Sequence, residues 1–275
     1  MPRRLIVVSG AGLSADSGVR TFRTDTASGR PLWDEYDLEE VCEIGGFDAG
    51  YHYLNDPMPP LHALSKETDD RESENLYKLT HEFYNKRRVE LETVNPNAAH
   101  LQIGKWFKTF PDQVLNLTTN VDDLLERAGV EREAILHVHG YLPEILYRMH
   151  PGDYPTLVDI GYSAVNIEDY NWVKPNVVFF GEAAPLYNDM DILFNSLTSQ
   201  DMVIVVGCSN QVINFNYELF PALHFGTKMV VVNPGLTYLE TELYNDRGVL
   251  TYRAGAEEAF TNQHFVKMVE DHLNG

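Results

Sequence analysis

The chain has 275 residues, 44% of them apolar, enough for one large core or for a core with a smaller lobe. Its 21 Lys and Arg stand against 41 Asp and Glu, a net charge of −20, which is the wrong sign for a long nucleic-acid footprint. Two cysteines, Cys42 and Cys208, exclude by count a disulfide framework and a four-cysteine zinc site.

In chain order, Pro2, Arg3 and Arg4 precede only four apolar residues before Ser9, too few for the core of a signal peptide. No apolar run is long enough to span a bilayer, so a cytoplasmic address without membrane partners is expected. The acidity serves solubility or, in a sharper reading, attracts lysine-rich protein substrates. Apolar, β-branched runs at 5–8, 114–117, 135–138, 177–180, 202–206 and 229–232 read as buried strands of a parallel sheet. Helical spacing falls between them. Leu76, Leu79, Phe83 and Leu91 share a face, Leu101, Trp106 and Phe110 do so loosely, and 257–273 reads as one final helix. Two stretches break the alternation: 24–70, rich in Asp, Glu, Gly and Pro, and 140–175, without clear periodicity. The expected fold is α/β, a Rossmann-like parallel sheet with helices on both faces and a smaller lobe built from two insertions. The sheet domain takes 1–30, 92–139 and 176–275, and the lobe 31–91 and 140–175.

After the first strand comes Ser9, Gly10, Ala11, Gly12, Leu13, Ser14, Ala15, Asp16, Ser17 and Gly18. A strand running into glycines and then a helix fits a dinucleotide. Gly10 and Gly12 let the backbone approach a pyrophosphate, the helix start offers unpaired N–H groups, and Ser14 and Ser17 add hydroxyls. The same glycines also suit a tight turn for steric reasons alone, and Gly18 comes too late for the usual Rossmann spacing. Beyond it, Val19, Arg20, Thr21, Phe22 and Arg23 read as a lid over a bound cofactor.

The stretch from Gly10 through Ser14, Ser17 and Gly18 to Phe22 and Arg23 resembles the signature of the sirtuins, NAD-dependent protein deacylases. Further blocks follow in the family's order: Pro96 to His100; Thr118, Thr119, Asn120, Val121 and Asp122; His139 with Gly140; and Val177, Val178, Phe179, Phe180, Gly181 and Glu182. Gly207, Cys208 and Ser209 come next, then Asn233, and last Gly255 with Ala256. The resemblance implies NAD as co-substrate, bound by the loop residues and lid, by Thr119 to Asp122, and by Gly207, Cys208, Ser209, Asn233 and Ala256. It implies acyl-lysine proteins as partners, with 178–182 as the acyl-lysine channel. A subclass that removes succinyl and malonyl groups is similar at 20–23, at Leu32 with Trp33, and at Phe83 to Arg88. There Tyr84 and Arg87, an i, i+3 pair, would grip a carboxylate. Without the resemblance, Tyr84 would be read as lobe packing and Arg87 as a solvated charge.

In the family's reaction the acyl oxygen attacks the ribose carbon that bears nicotinamide, and a general base takes a ribose hydroxyl proton. A histidine with a reference pKa near 6.5 suits that base. His139 is the candidate, and His137, on the same side of the strand, is its rival. Asn120 and Asp122 would orient ribose and nicotinamide, although Asp122 is also placed to cap a helix. Three departures stand out. The segment 140–175 has none of the family's zinc cysteines, so no metal is expected and the lobe would rest on Leu142, Ile145, Leu146, Tyr147, Leu157, Val158, Tyr162 and Trp172. Thr119 replaces a Gln and Cys208 a Thr, both near the cofactor, and 213–216 differs along the peptide groove. Competing readings are an NAD hydrolase or ADP-ribosyltransferase on the same scaffold, and a non-catalytic NAD-binding protein. The oligomeric state is not encoded in any motif.

Overall fold

The computed structural model describes residues 2–19, 37, 41–55, 75–208 and 214–275, without the side chains of 215 and 216. Six strands form one parallel sheet: β1 (Arg4–Ser9), β2 (Val114–Thr118), β3 (Ile135–His137), β7 (Asp201–Val206), β8 (Lys228–Val232) and β9 (Leu250–Tyr252). Their order is β3-β2-β1-β7-β8-β9. All of β7 and all of β1 after Arg4 is buried, as in a sheet covered on both faces. Alternate residues feed opposite layers: Leu5 and Val7 enter one core with Ile204 and Val230, and Ile6 and Val8 enter another with Val203 and Val205. β1 and β7 are neighbours in space and far apart in sequence, so their loops meet at the point where the strand order reverses.

The strand expected at 177–180 is displaced. It runs as β6 (Trp172–Val177), antiparallel to β4 (Gly140–Arg148), which also pairs with β5 (Thr156–Asp159) in a separate three-stranded sheet. Pro175 lacks an N–H and fits this edge strand. Past Val177 the backbone leaves the strand, because Val178 donates to the His139 carbonyl at 2.9 Å. The segment 140–175, aperiodic to the eye, therefore holds most of a β-sheet. The C-terminal helix is two, Ala256–Thr261 and Gln263–Asn274, broken at Asn262, whose side chain accepts from the N–H groups of His264 and Phe265.

The lobe has its own core, joining Phe47, Tyr77, Phe83, Tyr84 and Leu91 to Leu142, Ile145, Trp172, Val173 and Phe179. Leu157 and Val158, expected inside, are 52% and 36% exposed on the edge strand β5, and Leu146, Tyr147 and Tyr162 are half-buried. The long lobe helix (Leu76–Thr93) buries Tyr77, Thr80, His81, Tyr84, Arg88 and Leu91, while Leu76 and Leu79 are only half-buried. Polar members of that face reach backbone: His81 Nε2 lies 3.0 Å from the Val173 carbonyl, and Arg88 Nε donates to the Leu142 carbonyl at 3.0 Å. Among the described residues no helix is long and apolar enough to cross a membrane.

Asn85 ties this helix to the 160s loop. Its Oδ1 accepts from the Val165 N–H at 2.7 Å and from Arg88 Nη1 at 3.0 Å, and its Nδ2 donates to the Val165 carbonyl at 2.8 Å. Asn85→Ala would strand all three partners, one of them on a buried guanidinium. It is expected to lower unfolding free energy by about 2–4 kcal/mol, measured by urea titration; a change near zero would refute the tie.

Candidate active site

The glycine loop is organised by contact with a second loop. A Cβ on Gly12 would stand 2.6 Å from the Gly207 Cα, and one on Gly10 would stand 2.8 Å from the Gly207 carbonyl oxygen. The two backbones also bond directly, Gly12 N–H to Gly207 O at 3.0 Å. Gly207 itself has φ +62°. These glycines thus serve a backbone-to-backbone approach at the sheet's switch point, and the Gly12 N–H is spent on it. The helix that follows is one turn, Ala11–Ser14, running into a 3-10 turn that ends at Gly18 with φ +89°. Asn233 braces the second loop by donating from Nδ2 to the Cys208 carbonyl at 3.1 Å. The Cys208 thiol is buried and its pKa is pushed up to about 12 by burial, so it is a packed thiol.

Ser14 is 1% exposed and turns its hydroxyl inward. It donates to Asp122 Oδ2 at 2.8 Å and accepts from Asn120 Nδ2 at 3.1 Å, with His100 Nε2 at 3.4 Å. Asn120 Nδ2 also reaches the Gly10 carbonyl at 3.1 Å. Asp122 Oδ1 accepts the Leu124 N–H at 3.2 Å, so this carboxylate caps a helix turn and anchors the loop at once. Burial pushes the Asp122 pKa up, opposed by those two hydrogen bonds. From below, Asn97 caps the helix Ala98–Thr109 and donates from Nδ2 to the Leu13 carbonyl at 2.7 Å. The side chains of Ser14, Asn120 and Asp122 therefore form one network beneath the loop. Ala256 is buried, and the neighbouring Glu257 N–H donates to Asp16 Oδ2 at 3.3 Å, which draws the last helices to the loop.

The two histidines separate cleanly. His137 is 2% exposed, with Nδ1 at 3.1 Å from the Asn120 carbonyl and Nε2 at 2.9 Å from Glu126 Oε1, so both ring nitrogens are engaged. His139 is half-buried, just past the C-terminal end of β3. Burial lowers its pKa, opposed by a backbone hydrogen bond to Thr119, and the neutral ring is the form present at pH 7. Thr119 in turn donates its N–H to the Ser9 carbonyl at 3.0 Å, linking His139 to the root of the glycine loop. Tyr187, which no motif marks, places its hydroxyl 2.8 Å from His139 Nε2.

Residues 178–182 lie beside His139. Phe180 donates its N–H to the Cys42 carbonyl at 2.8 Å and accepts the Ile44 N–H at 3.0 Å, which stitches this segment to the lobe. Phe179 is 2% exposed, stacked on Tyr84 with centroids 5.5 Å apart and planes at 9°, with Lys174 Nζ 4.0 Å from its ring centroid. Lys174 is paired with Glu182 at 3.0 Å, although burial lowers its pKa. Tyr84 is buried and its pKa is raised, chiefly by burial. Arg87 Nη1 lies 2.6 Å from Glu90 Oε2. Thr21, Phe22, Arg23, Trp33 and Ser209 lie outside the described residues. His150 and Asp153 close a turn, with the His150 N–H on Asp153 Oδ2 at 2.9 Å. Among the described residues no group of three or more His, Cys, Asp or Glu is arranged to hold a metal.

Residues 10–214 match the sequence model of the Sir2 family. A protein of Helicobacter hepaticus described as an NAD-dependent protein deacylase is 36% identical over 237 residues, 78% of each chain. A solved Sir2 homologue in complex with NAD aligns with TM-score 0.67 at 24% identity, covering 99% of this chain and 91% of that one. A mutant Sir2 homologue in complex with ADP-ribose aligns with TM-score 0.70 at 24% identity, covering 99% and 94%. At that identity the two structures speak to the fold.

The support beneath the loop is pH-sensitive. Burial holds the His100 pKa down to about 3, whereas an unfolded histidine titrates near 6.5. Below pH 6.5 the unfolded chain takes up a proton that the folded chain refuses. The stability His100 confers is thus complete above pH 6.5 and is lost progressively toward pH 3, by up to about 1.4 kcal/mol per pH unit. His100→Gln is expected to flatten the fall in unfolding free energy between pH 6 and 4.5 by about one proton; equal slopes in urea titrations of both proteins would contradict this.

Proposed function

The chain belongs to the Sir2 family and is an NAD-dependent protein deacylase, and from that premise we propose that it removes acidic acyl groups, succinyl and malonyl, as well as acetyl, from protein lysines. Nicotinamide and O-acyl-ADP-ribose are the co-products. NAD supplies the ribose that takes the acyl group, and the chain's own residues do the rest.

His139 is the base, taking a ribose hydroxyl proton at Nε2. The observation that carries this reading is its contrast with His137: one ring is half-buried and held neutral, the other is locked by two hydrogen bonds. Asn120 and Asp122 act by fixing the loop that receives NAD through their shared bonds to Ser14. Residues 178–182 line the acyl-lysine channel. Support for the acidic acyl preference comes from Tyr84, whose ring stacks on the channel residue Phe179, with Arg87 one turn further along the same helix. A guanidinium and a phenol together offer a carboxylate charge-assisted hydrogen bonds.

A four-cysteine zinc site does not fit this chain. Cys42 lies in the lobe core and Cys208 behind the glycine loop, both buried and far apart in the fold's layers. A four-cysteine site needs four such donors in tetrahedral array, and the chain has two. We propose that the lobe is metal-independent and held by its apolar core.

The decisive assay is NAD with a succinyl-lysine peptide, following nicotinamide and peptide mass. Nicotinamide is expected only with peptide present, in amounts equal to the freed lysine. Release without peptide would instead mean NAD hydrolysis, and NAD binding without turnover a sensor. Arg87→Met is expected to cut desuccinylation about 10- to 100-fold, the weight of a charge-assisted bond, and to leave deacetylation within about threefold; equal losses would refute the carboxylate role. A chelator is expected to leave the thermal unfolding midpoint where it is, and a fall of several degrees would overturn the metal-free lobe.

A further inference from the structure

The Tyr187 hydroxyl stands 2.8 Å from the nitrogen that His139 would use as a base. On its other side the imidazole bonds to the Thr119 backbone, in a contact that favours the protonated ring. Of the two neutral tautomers, the one with its proton on Nδ1 leaves on Nε2 the lone pair that a base needs, facing the Tyr187 hydroxyl. Tyr187 then donates its O–H to Nε2. A single lone pair accepts one good donor, so the phenol and a sugar hydroxyl compete for it.

Resting on the reading of His139 as the base, we propose that Tyr187 is a positioning residue and placeholder: its O–H holds the imidazole in the base-ready tautomer and yields Nε2 to the ribose hydroxyl when NAD binds. No proton moves in the exchange. Tyrosine leaves with its O–H intact, and the sugar O–H then faces the same lone pair.

The surroundings suit a movable donor. Tyr187 opens the helix Tyr187–Asn195 and is only half-buried, packed at the edge of the core that holds Met190 and Phe194, so its side chain can turn while those two keep the helix in place. The rings are not stacked, with centroids 5.9 Å apart and planes at 36°. The imidazole faces the Thr119 backbone and this phenol, and the charge facing the phenol is Glu218, from the helix Phe215–Glu218. Burial and Glu218 raise the phenol's pKa, so it stays a neutral donor through the working range. Only residues 183–186 separate Tyr187 from the channel segment, so the placeholder is covalently close to where acyl-lysine would enter.

The test is Tyr187→Phe, which keeps the ring and removes the donor. A hydrogen bond to the neutral imidazole lowers its pKa, so the His139 NMR titration in the ligand-free variant is expected to move up. With saturating NAD the two proteins are expected to titrate alike. In turnover the KM for NAD is expected to fall roughly three- to tenfold, the weight of one neutral hydrogen bond no longer to be displaced, with kcat within about twofold. Tyr187→Leu is expected to give the same split. An unmoved His139 titration, or a tenfold loss of kcat at unchanged KM, would overturn the placeholder and point to packing or to a proton relay. The titration reads the contact without turnover, so it fails separately from the deacylase reading, which fails if no peptide-dependent nicotinamide appears.

Discussion

Two loops touch backbone to backbone where the parallel sheet reverses its strand order. Gly12 meets Gly207 so closely that any side chain on either would collide. That contact lets the ends of β1 and β7 converge, and the rest of the site is hung from it. Ser14 follows Gly12 by two residues and turns inward, where Asn120, Asp122 and His100 gather on its hydroxyl. Asn233 fixes the opposite loop through the Cys208 carbonyl. A larger residue at position 12 would do more than block a ligand: it would part the loops and leave Asp122, already disfavoured as an anion by burial, without its donor.

The lobe solves a different problem. Sheets of this size usually rest on a broad apolar face, yet its helix buries Tyr77, Thr80, His81, Tyr84 and Arg88. Four of these side chains reach backbone or amide partners: Thr80 the Val41 carbonyl, Tyr77 and His81 the Val173 carbonyl, and Arg88 the Leu142 carbonyl and Asn85. Burial pushes the Arg88 pKa down to about 10, still well above neutrality, so a cation sits inside the lobe. Such bonds are directional, and they set one relation of helix to sheet where apolar packing alone would tolerate several.

The rim around His139 joins the two parts. His139 closes one side through Thr119 and Val178, and Phe180 closes the other through Cys42 and Ile44. A molecule bound between His139 and Phe180 would therefore touch the sheet and the lobe together. Phe179 carries the contact inward, between the Tyr84 ring and the Lys174 ammonium, which itself is held by Glu182.

The parallel strands were legible because burial on both faces demands continuous β-branched runs, as at 202–206 and 229–232. The family was legible because short motifs carry it: the glycine loop, Asn120 with Asp122, and His139 with Gly140. What only the tertiary structure decided was partnership. A run such as 177–180 reads as a strand by composition, but a strand exists only where another offers carbonyls, and here the partner, β4, lies opposite 172–177. His137 and His139 are equivalent in sequence, and they part because Glu126 and Tyr187 come from elsewhere in the chain. Glycines at 10 and 12 announced close approach, and what approaches them is another backbone, 195 residues beyond the second of them. Local sequence sets what a residue is able to bond. Which bond it makes depends on long-range neighbours, and those are fixed only when the sheet has closed its order.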